Sequence, residues 1–179
     1  MEFAHRRRLL QDLEPWLAAT DVQSGPGVSD PGGAKAVATM LGEWPDGRIK
    51  LLLTSVGMRL RRARPDLFRE GSYEPLSAEG PAARHVVAFA RQLGSHALVV
   101  AVPRFITQIL WDGEHATRGP EAWGHTTLQL PASLATQTFR DLVTGASHGP
   151  SPEIAGRASL PLQRVFESCP VSLLWTETS

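Results

Sequence analysis

The longest regular pattern of apolar and polar positions lies at residues 46–71. Its apolar side chains recur at i, i+3, i+4, i+7 and i+11, the spacing that lines one side of an α-helix. They are Ile49, Leu52, Leu53, Val56 and Leu60. Asp46 is suited to cap this helix, while arginines in the last turn and Pro65 beyond them indicate an end near residue 63. The pattern predicts one amphipathic helix with a buried face, followed by a fixed turn.

Two shorter helical patterns precede this central helix. Residues 3–13 place Leu9, Leu10 and Leu13 among exposed arginines, and Pro15 weakens or ends the pattern. Residues 34–44 carry Val37 and Met40 on one face. Between them, residues 20–33 are rich in glycine and proline and have no periodic apolar face, which predicts a mobile loop.

Beyond residue 71 the pattern changes to short runs that are typical of β-strands. The predicted strands are 73–76, 85–91, 97–103, 126–130, 138–141 and 171–175, with weaker candidates at 106–110 and 160–162. Residues 94–96, GSH, predict a hairpin turn between two of them. Short antiparallel strands in this number predict a sandwich. The fold class is therefore α+β, with a helical segment at 1–71 and an antiparallel β domain at 72–179.

Composition excludes several classes of protein. Eighteen basic and eighteen acidic side chains give no net charge, which argues against a nucleic-acid binder. Cys169 is the single cysteine, so the chain has no internal disulfide and no cysteine-based zinc cluster. No apolar run is long enough for a signal peptide or a membrane span. We expect a soluble, cytoplasmic protein without a membrane partner.

A family resemblance covers most of the chain, from about residue 3 to residue 175. The segments that carry it are DGRIK (46–50), MRLRR (58–62), PDLFREGSYEPL (65–76), HVVAFAR (85–91), VVAVPRF (99–105), AWGHTTLQLP (122–131), FRDLVTG (139–145) and PVSLL (170–174). In order and approximate spacing they resemble the C-terminal end of maltooligosyltrehalose synthases, members of the α-amylase superfamily. The resemblance implies the last helices of a (β/α)8 barrel followed by a C-terminal β domain.

The resemblance also implies a function and its limit. Enzymes of that family are isomerases that convert the reducing-end α-1,4 linkage of a maltooligosaccharide into an α,α-1,1 linkage. The barrel segments that bear the nucleophile, the acid/base and the stabilising aspartate are absent from this sequence. We therefore assign no catalytic residue and no cofactor, and we expect the chain to be inactive alone. The implied partners are the missing barrel segment of the same enzyme and a maltooligosaccharide.

The residues themselves offer no other catalytic or metal centre. The acidic side chains of the β region, at Asp112, Glu114, Glu121, Asp141 and Glu153, fall in turns or at strand ends, where a solvated or turn-capping role is expected. The six histidines lack metal-ligand spacing, so no metal is predicted. Cys169 is expected to be a small buried side chain.

Four residues are candidates for binding. Trp111 and Trp123 flank a turn-rich segment and are the best candidates for an aromatic pad that binds sugars, although packing against the core or another domain is favoured even for them. Lys50 and Arg104 lie in segments of the resemblance, and each is a candidate for a sugar or domain contact. Arg104 is expected to anchor the β domain to the helical part. The other tryptophans, among them Trp44, are expected to be buried.

Two further hypotheses stay open at this point. The chain could be a free-standing module that binds a glucan or another protein. The central helix discriminates between the hypotheses, since its apolar face needs either a barrel partner or a cover made by residues 3–17 and 34–44. An arginine-rich helix that binds nucleic acid is the third hypothesis, and it predicts binding that weakens steeply with salt.

Overall fold

The protein is described here from a computed structural model that covers residues 3–19, 33–109, 120–154 and 157–176. Within these ranges the chain forms helices first and antiparallel sheets afterwards, so the α+β fold class is confirmed. The expected loop at 20–33 lies outside the described residues except for Gly33, which begins a helix.

The helical part has five α-helices. They are α1 (Phe3–Asp12), α2 (Glu14–Ala19), α3 (Gly33–Gly42), α4 (Arg48–Ala63) and α5 (Pro65–Arg69). A 3-10 turn, Trp44–Asp46, joins α3 to α4. Pro15 does not end the helical region but lies near the start of α2, and Pro65 is the first residue of α5, where a turn alone was predicted. Proline fits the first turn of a helix because its φ is already helical and its missing amide would have no partner there.

Helix α4 is the predicted central helix, and its start differs from the prediction by one residue. Gly47, in the left-handed conformation at φ 84°, is the N-cap residue. Asp46 still satisfies the helix end, because its Oδ1 accepts a 2.8 Å hydrogen bond from the Arg48 amide. That backbone hydrogen bond is the main reason why the pKa of Asp46 is lowered. The end of the helix at Ala63 is as predicted.

The strands form two sheets. They are β1 (Glu74–Leu76), β2 (Ala78–Glu79), β3 (Val86–Leu93), β4 (His96–Pro103), β5 (Thr127–Gln129), β6 (Phe139–Asp141), β7 (Ser147–His148), β8 (Ser151–Ile154), β9 (Arg157–Pro161) and β10 (Ser172–Thr176). One sheet has the order β1-β3-β4-β10-β6-β7 and the other the order β2-β5-β9-β8. All pairs are antiparallel.

The β3–β4 hairpin confirms the turn predicted from GSH. Leu93 pairs with His96, so the loop has two residues, and Gly94 at its first position has φ 59°. That is the glycine position of a type II′ turn, whose twist matches the flanking strands.

Two weaker strand predictions need correction. Residues 106–109 form a short helix, α6 (Ile106–Ile109), and the apolar run that begins at residue 160 is divided between β9 and a second short helix, α7 (Leu162–Val165). A short apolar run fits a strand or a buried helix equally well, so its neighbours decide between them. Strands β2, β7 and β8 were not predicted, because two to four residues carry too little periodicity.

The core has two parts, one on each face of the six-stranded sheet. The inner part lies between the sheets, with small side chains such as Ala88 and Ala101 facing Leu128 and Leu160. The outer part lies between the helices and the other face of the sheet. Its buried side chains are Leu13, Leu17, Val37, Met40, Ile49, Leu52, Val56, Leu60, Leu67, Leu98, Leu142, Val143, Cys169 and Trp175. The molecule is thus a sandwich of two sheets with a third, helical layer.

One tryptophan departs from its expected burial. Trp44 is 69% exposed, although core packing was predicted. It stands in the 3-10 turn between α3 and α4 rather than on the buried face of either helix. Trp175 is buried as expected, with His96 stacked at 5.5 Å and the Arg64 guanidinium 5.5 Å from its ring centre.

Candidate functional site

The predicted binding residues lie on different elements. Lys50 is exposed on α4 and lines a groove of about 500 Å³ between α1 and α4. Its other lining residues are Arg6, Leu9, Asp46, Gly47, Leu51 and Thr54. Trp111 lies outside the described residues. Of the three candidates that the structure describes, Lys50 alone lines one of the grooves described in this section, and no groove brings two of them together.

Trp123 is only 4% exposed and packs against Phe166, with ring centres 4.7 Å apart. It lies in a 3-10 turn, Pro120–Trp123, and belongs to the core between the sheets. A ring buried to this extent has no free face for a sugar. This placement corresponds to the packing alternative rather than to an aromatic pad.

Arg104 follows β4 and is exposed. Its Nε donates a 2.7 Å hydrogen bond to the Arg84 carbonyl, and its guanidinium lies 5.2 Å from the ring centre of Phe105. This hydrogen bond lies within the β region and does not reach the helical part, where an anchor was expected, since Arg84 stands at the start of the β3–β4 hairpin. Phe105 itself is exposed and holds φ 51°, a strained conformation for a bulky residue.

An aromatic groove that the sequence reasoning missed lies where α4 and α5 meet the outer face of the six-stranded sheet. Its volume is about 290 Å³. The lining residues are Gly57, Leu60, Arg61, Phe68, Tyr73, Phe89, Arg91, Leu98, Val100 and Leu173. They come from several segments of the resemblance. The alternation in HVVAFAR is the signal that could have located it, because Phe89 and Arg91 face away from the alanines of the inner core.

Arg91 links the helices to the sheet in this aromatic groove. Its Nη1 donates hydrogen bonds to the carbonyls of Phe68, at 3.2 Å, and of Leu67, at 3.5 Å. The same guanidinium lies 5.8 Å from the ring centre of Phe68 and 5.6 Å from that of Tyr73. Tyr73 packs in turn on Phe89 at 5.0 Å. Arginine suits this position because its planar group can donate hydrogen bonds and stack on rings at once.

A third groove, of about 410 Å³, lies at the edge where β1 approaches β5 and β9. It is more polar than the others, with Glu74, Ser77, Gln129 and Arg157 among its lining residues. Its described lining includes no aromatic side chain on which a sugar could stack.

Asp141 is the acidic residue whose position differs most from the prediction. It is fully buried rather than solvated. Its carboxylate accepts 2.8 Å and 2.7 Å hydrogen bonds from the Val143 amide and the Ser172 hydroxyl, so the turn-capping part of the prediction holds. Burial raises the pKa of Asp141 to about 6, and these hydrogen bonds oppose that rise. Both carboxylate oxygens are thus used within the fold.

The remaining titratable residues that the structure describes do not assemble a metal site. Within residues 3–19, 33–109, 120–154 and 157–176, no three metal-ligating side chains are clustered. Cys169 is buried as predicted, and burial raises the pKa of its thiol to about 11. Burial lowers the pKa of His96 and of His148. No helix among the described residues is long and apolar enough to cross a membrane.

We compared the chain with protein-family models, with curated proteins and with solved structures. No protein-family model matches the chain. Over 113 residues it is 35% identical to the predicted maltooligosyl trehalose synthase of two strains of Mycobacterium tuberculosis, CDC 1551 / Oshkosh and H37Rv. The match includes 63% of this chain but only 13% of each relative.

Solved structures show the same relationship in the fold. Maltooligosyltrehalose synthase from Arthrobacter ramosus, in its unmodified and a mutant form, superimposes with a TM-score of 0.60 at 24% identity. The superposition covers 98% of this chain and 17% of the synthase. The chain is therefore similar in sequence to maltooligosyl trehalose synthases and shares the fold of a small, C-terminal portion of such an enzyme.

Proposed function

We propose that this chain is the C-terminal part of a maltooligosyltrehalose synthase-like protein of trehalose biosynthesis, a 1,4-α-glucan 1-α-glucosylmutase, and that it is structural rather than catalytic. The observation that carries the proposal is the likeness of nearly the whole chain, 98%, to 17% of the solved synthase. The partner is then the remaining portion of such an enzyme, and a maltooligosaccharide is its substrate.

The placement of the carboxylates supports a non-catalytic role. Retaining glycoside chemistry needs two carboxyl groups about 5 Å apart in a sugar-binding cleft. Among the residues that the structure describes, each of the three grooves is lined by at most one carboxylate. Asp141 is buried at the end of β6 and holds a turn, so it cannot reach a substrate.

One observation favours the alternative, a free-standing module that binds a glucan or a protein. The apolar face of α4 is covered by α1 to α3 and by the outer face of the six-stranded sheet. This face therefore does not need a barrel partner. The same closed core would also let the chain fold as a stable unit at the end of a longer enzyme, so it does not exclude the first proposal.

A chimera tests the proposal. In it, this chain replaces the matched C-terminal portion of the Arthrobacter ramosus synthase. We expect the chimera to convert maltohexaose into a product with a trehalose end, and we expect this chain alone to form none. The synthase shortened without replacement is the control. A chimera no more active or soluble than the shortened enzyme would contradict the proposal. Retardation of this chain alone in a glycogen affinity gel would then favour the glucan-binding module.

A further inference from the structure

In the described part of the chain, the helices cover one end of the outer face of the six-stranded sheet more fully than the other. On β3, β4 and β10, side chains alternate between the inner core and this outer face. The row next to the helices holds Leu98 and Trp175, which are both buried. Farther from the helices the burial decreases, and Val87 is 45% exposed.

The more accessible part of this face forms what we call the open strip, which consists of Val87, Phe89, Val100, Val102 and Leu173. Val87 is exposed and the other four side chains are half-buried. Val100 and Leu173 pack in part against the outer part of the core. Register places these residues side by side, since Val87 pairs with Val102, and Val100 lies between Phe89 and Leu173. The aromatic groove forms the end of the open strip at the helices. The solvated face of an antiparallel sheet normally alternates to polar residues, so a continuous apolar strip indicates a surface that becomes covered.

Arginines flank both ends of the open strip. Arg61 and Arg91 line the aromatic groove, while Arg84 and Arg104 stand where β3 begins and β4 ends. In the part of the chain that the structure describes, none of the four forms an ion pair with a carboxylate. A second copy of this chain would bring arginines against arginines, which opposes self-association. The rim instead complements an apolar segment that carries carboxylates on either side.

We infer that the open strip is the docking surface for the portion of a maltooligosyltrehalose synthase-like polypeptide that lies outside the match, through an apolar segment flanked by acidic residues. This inference rests on the proposed function. Only 17% of the solved synthase corresponds to this chain, so most of that enzyme is available to cover the strip. Strands β3, β4 and β10, which form the strip, lie within segments of the resemblance or overlap them.

Thiol labelling tests the docking surface with little background, because Cys169 is buried and the pKa of its thiol is raised. Val87→Cys introduces a thiol on the open strip. Thr136→Cys is the matched control, at an exposed position in the turn before β6. Peptide mass spectrometry measures maleimide labelling of each variant in this chain alone and in the chimera. In the chimera we expect labelling at residue 87 to slow by about tenfold or more, and labelling at residue 136 to stay unchanged.

A second variant tests the energetic cost of burying residue 87 in the chimera. Val87→Asp places a charge that solvent accommodates in this chain alone but that docking would bury without a partner. The melting temperature of the chain should change little, whereas the half-inactivation temperature of the chimera should fall clearly. Thr136→Asp should affect neither. If Val87→Asp unfolds the chain, the labelling of Val87→Cys still tests whether the open strip is a docking surface.

The possible outcomes distinguish a failure of the docking surface from a failure of the proposed function. An active chimera whose residue 87 is labelled as fast as in the isolated chain overturns the docking surface and leaves the proposed function intact. An inactive chimera overturns the proposed function first. Slower labelling of the isolated chain at higher protein concentration would assign the open strip to a second copy and overturn the inference. Slower labelling in the presence of maltohexaose would assign it to a sugar and overturn it as well.

Discussion

At the scale of single residues, Asp141 shows burial and hydrogen bonding acting in opposite directions. Removal from water disfavours its charged form, while the Ser172 hydroxyl and nearby backbone amides favour it. Its own backbone is also fixed, because its amide donates to the Ala146 carbonyl and its carbonyl accepts from the Gly145 amide, each at 2.8 Å. The side chain therefore secures the turn after β6 and ties it to β10 at a cost in electrostatic free energy.

This cost predicts a pH dependence that Asp141→Asn removes. The pKa of Asp141 is raised from 3.8 to about 6, so the unfolded state loses its proton first as the pH rises. The free energy of unfolding should thus fall between about pH 4 and pH 6, on the order of 3 kcal/mol, and level off above pH 6. Asparagine carries no charge; its Oδ1 can still accept from the Val143 amide, and its Nδ2 can donate to the Ser172 hydroxyl oxygen in a reversed hydrogen bond. Urea denaturation from pH 3.5 to 7.5 should show the variant gaining stability over the native chain across this window.

The difference between the variant and the native chain isolates Asp141, and one further variant tests the assignment. The lowered pKa values of His96 and His148 give stability that is present above about pH 6.5 and is lost as the pH falls below it, but this contribution is common to both proteins and cancels in the difference. Ser172→Ala removes a hydrogen bond that lowers the pKa of Asp141, so it should extend the window above pH 6. A constant difference between Asp141→Asn and the native chain would refute the assignment.

At the scale of elements, the passage from α5 to β1 depends on a very close backbone approach. A Cβ atom on Gly71 would lie 2.3 Å from the Leu67 carbonyl oxygen and 3.0 Å from that of Gln92. The Ser72 amide donates a 2.9 Å hydrogen bond to the same Gln92 carbonyl. Together with Arg91, this contact fixes the helical layer against the edge of the sheet.

Gly71→Ala and Gly57→Ala should therefore have opposite effects. The first forces backbone atoms apart and should destabilise the protein by about 2 kcal/mol or more. The second lies inside α4 with nothing within 4 Å of the new Cβ, so it should stabilise by about 0.5–1 kcal/mol through helix propensity. Thermal unfolding of both variants beside the native chain measures the difference. Similar melting temperatures for the two variants would contradict the close approach at residue 71.

At the scale of the whole molecule, the six-stranded sheet belongs to both parts of the core. Leu98 packs toward the helices, while its neighbour Val99 packs toward the four-stranded sheet. Residues 72–179 without the helices would expose Leu98, Leu142 and Trp175 to water. The division of the chain at residue 71 therefore separates helices from strands, but the helices pack on the same six-stranded sheet that the strands form.

This arrangement predicts one cooperative unfolding transition for the chain. Helical signal in the far-ultraviolet and tryptophan fluorescence should change together, and residues 72–179 expressed alone should be insoluble or molten. Leu128→Ala provides the sharpest test, because Leu128 lies only between the sheets. This substitution should cost about 2–5 kcal/mol of stability. It should lower the midpoint temperature of the helical signal as much as that of the tryptophan fluorescence. A helical transition that stays unchanged would instead support two independent domains.

Much of the fold follows from local patterns in the sequence. The buried face of α4, the β3–β4 hairpin and the longer strands were predicted because each pattern extends over several residues. The short elements were missed because pairing with distant segments, rather than local preference, decides their form. The exposure of single side chains was predicted less well, since exposure depends on what packs above a residue. Trp44 and Trp123 have the same chemistry, yet the first is exposed and the second is buried.

The sequence by itself determined the order of helices and strands, the amphipathic faces and the resemblance to the synthases, because these depend on residue type and spacing along the chain. Only the tertiary structure decided that the helices pack on the outer face of the sheet, that Asp141 is buried, and that Arg91 joins α5 to β3. It also decided which apolar positions stay open, among them Val87. The physical reason is that burial and charge pairing arise between segments that are distant in sequence, and no local pattern records which of them meet.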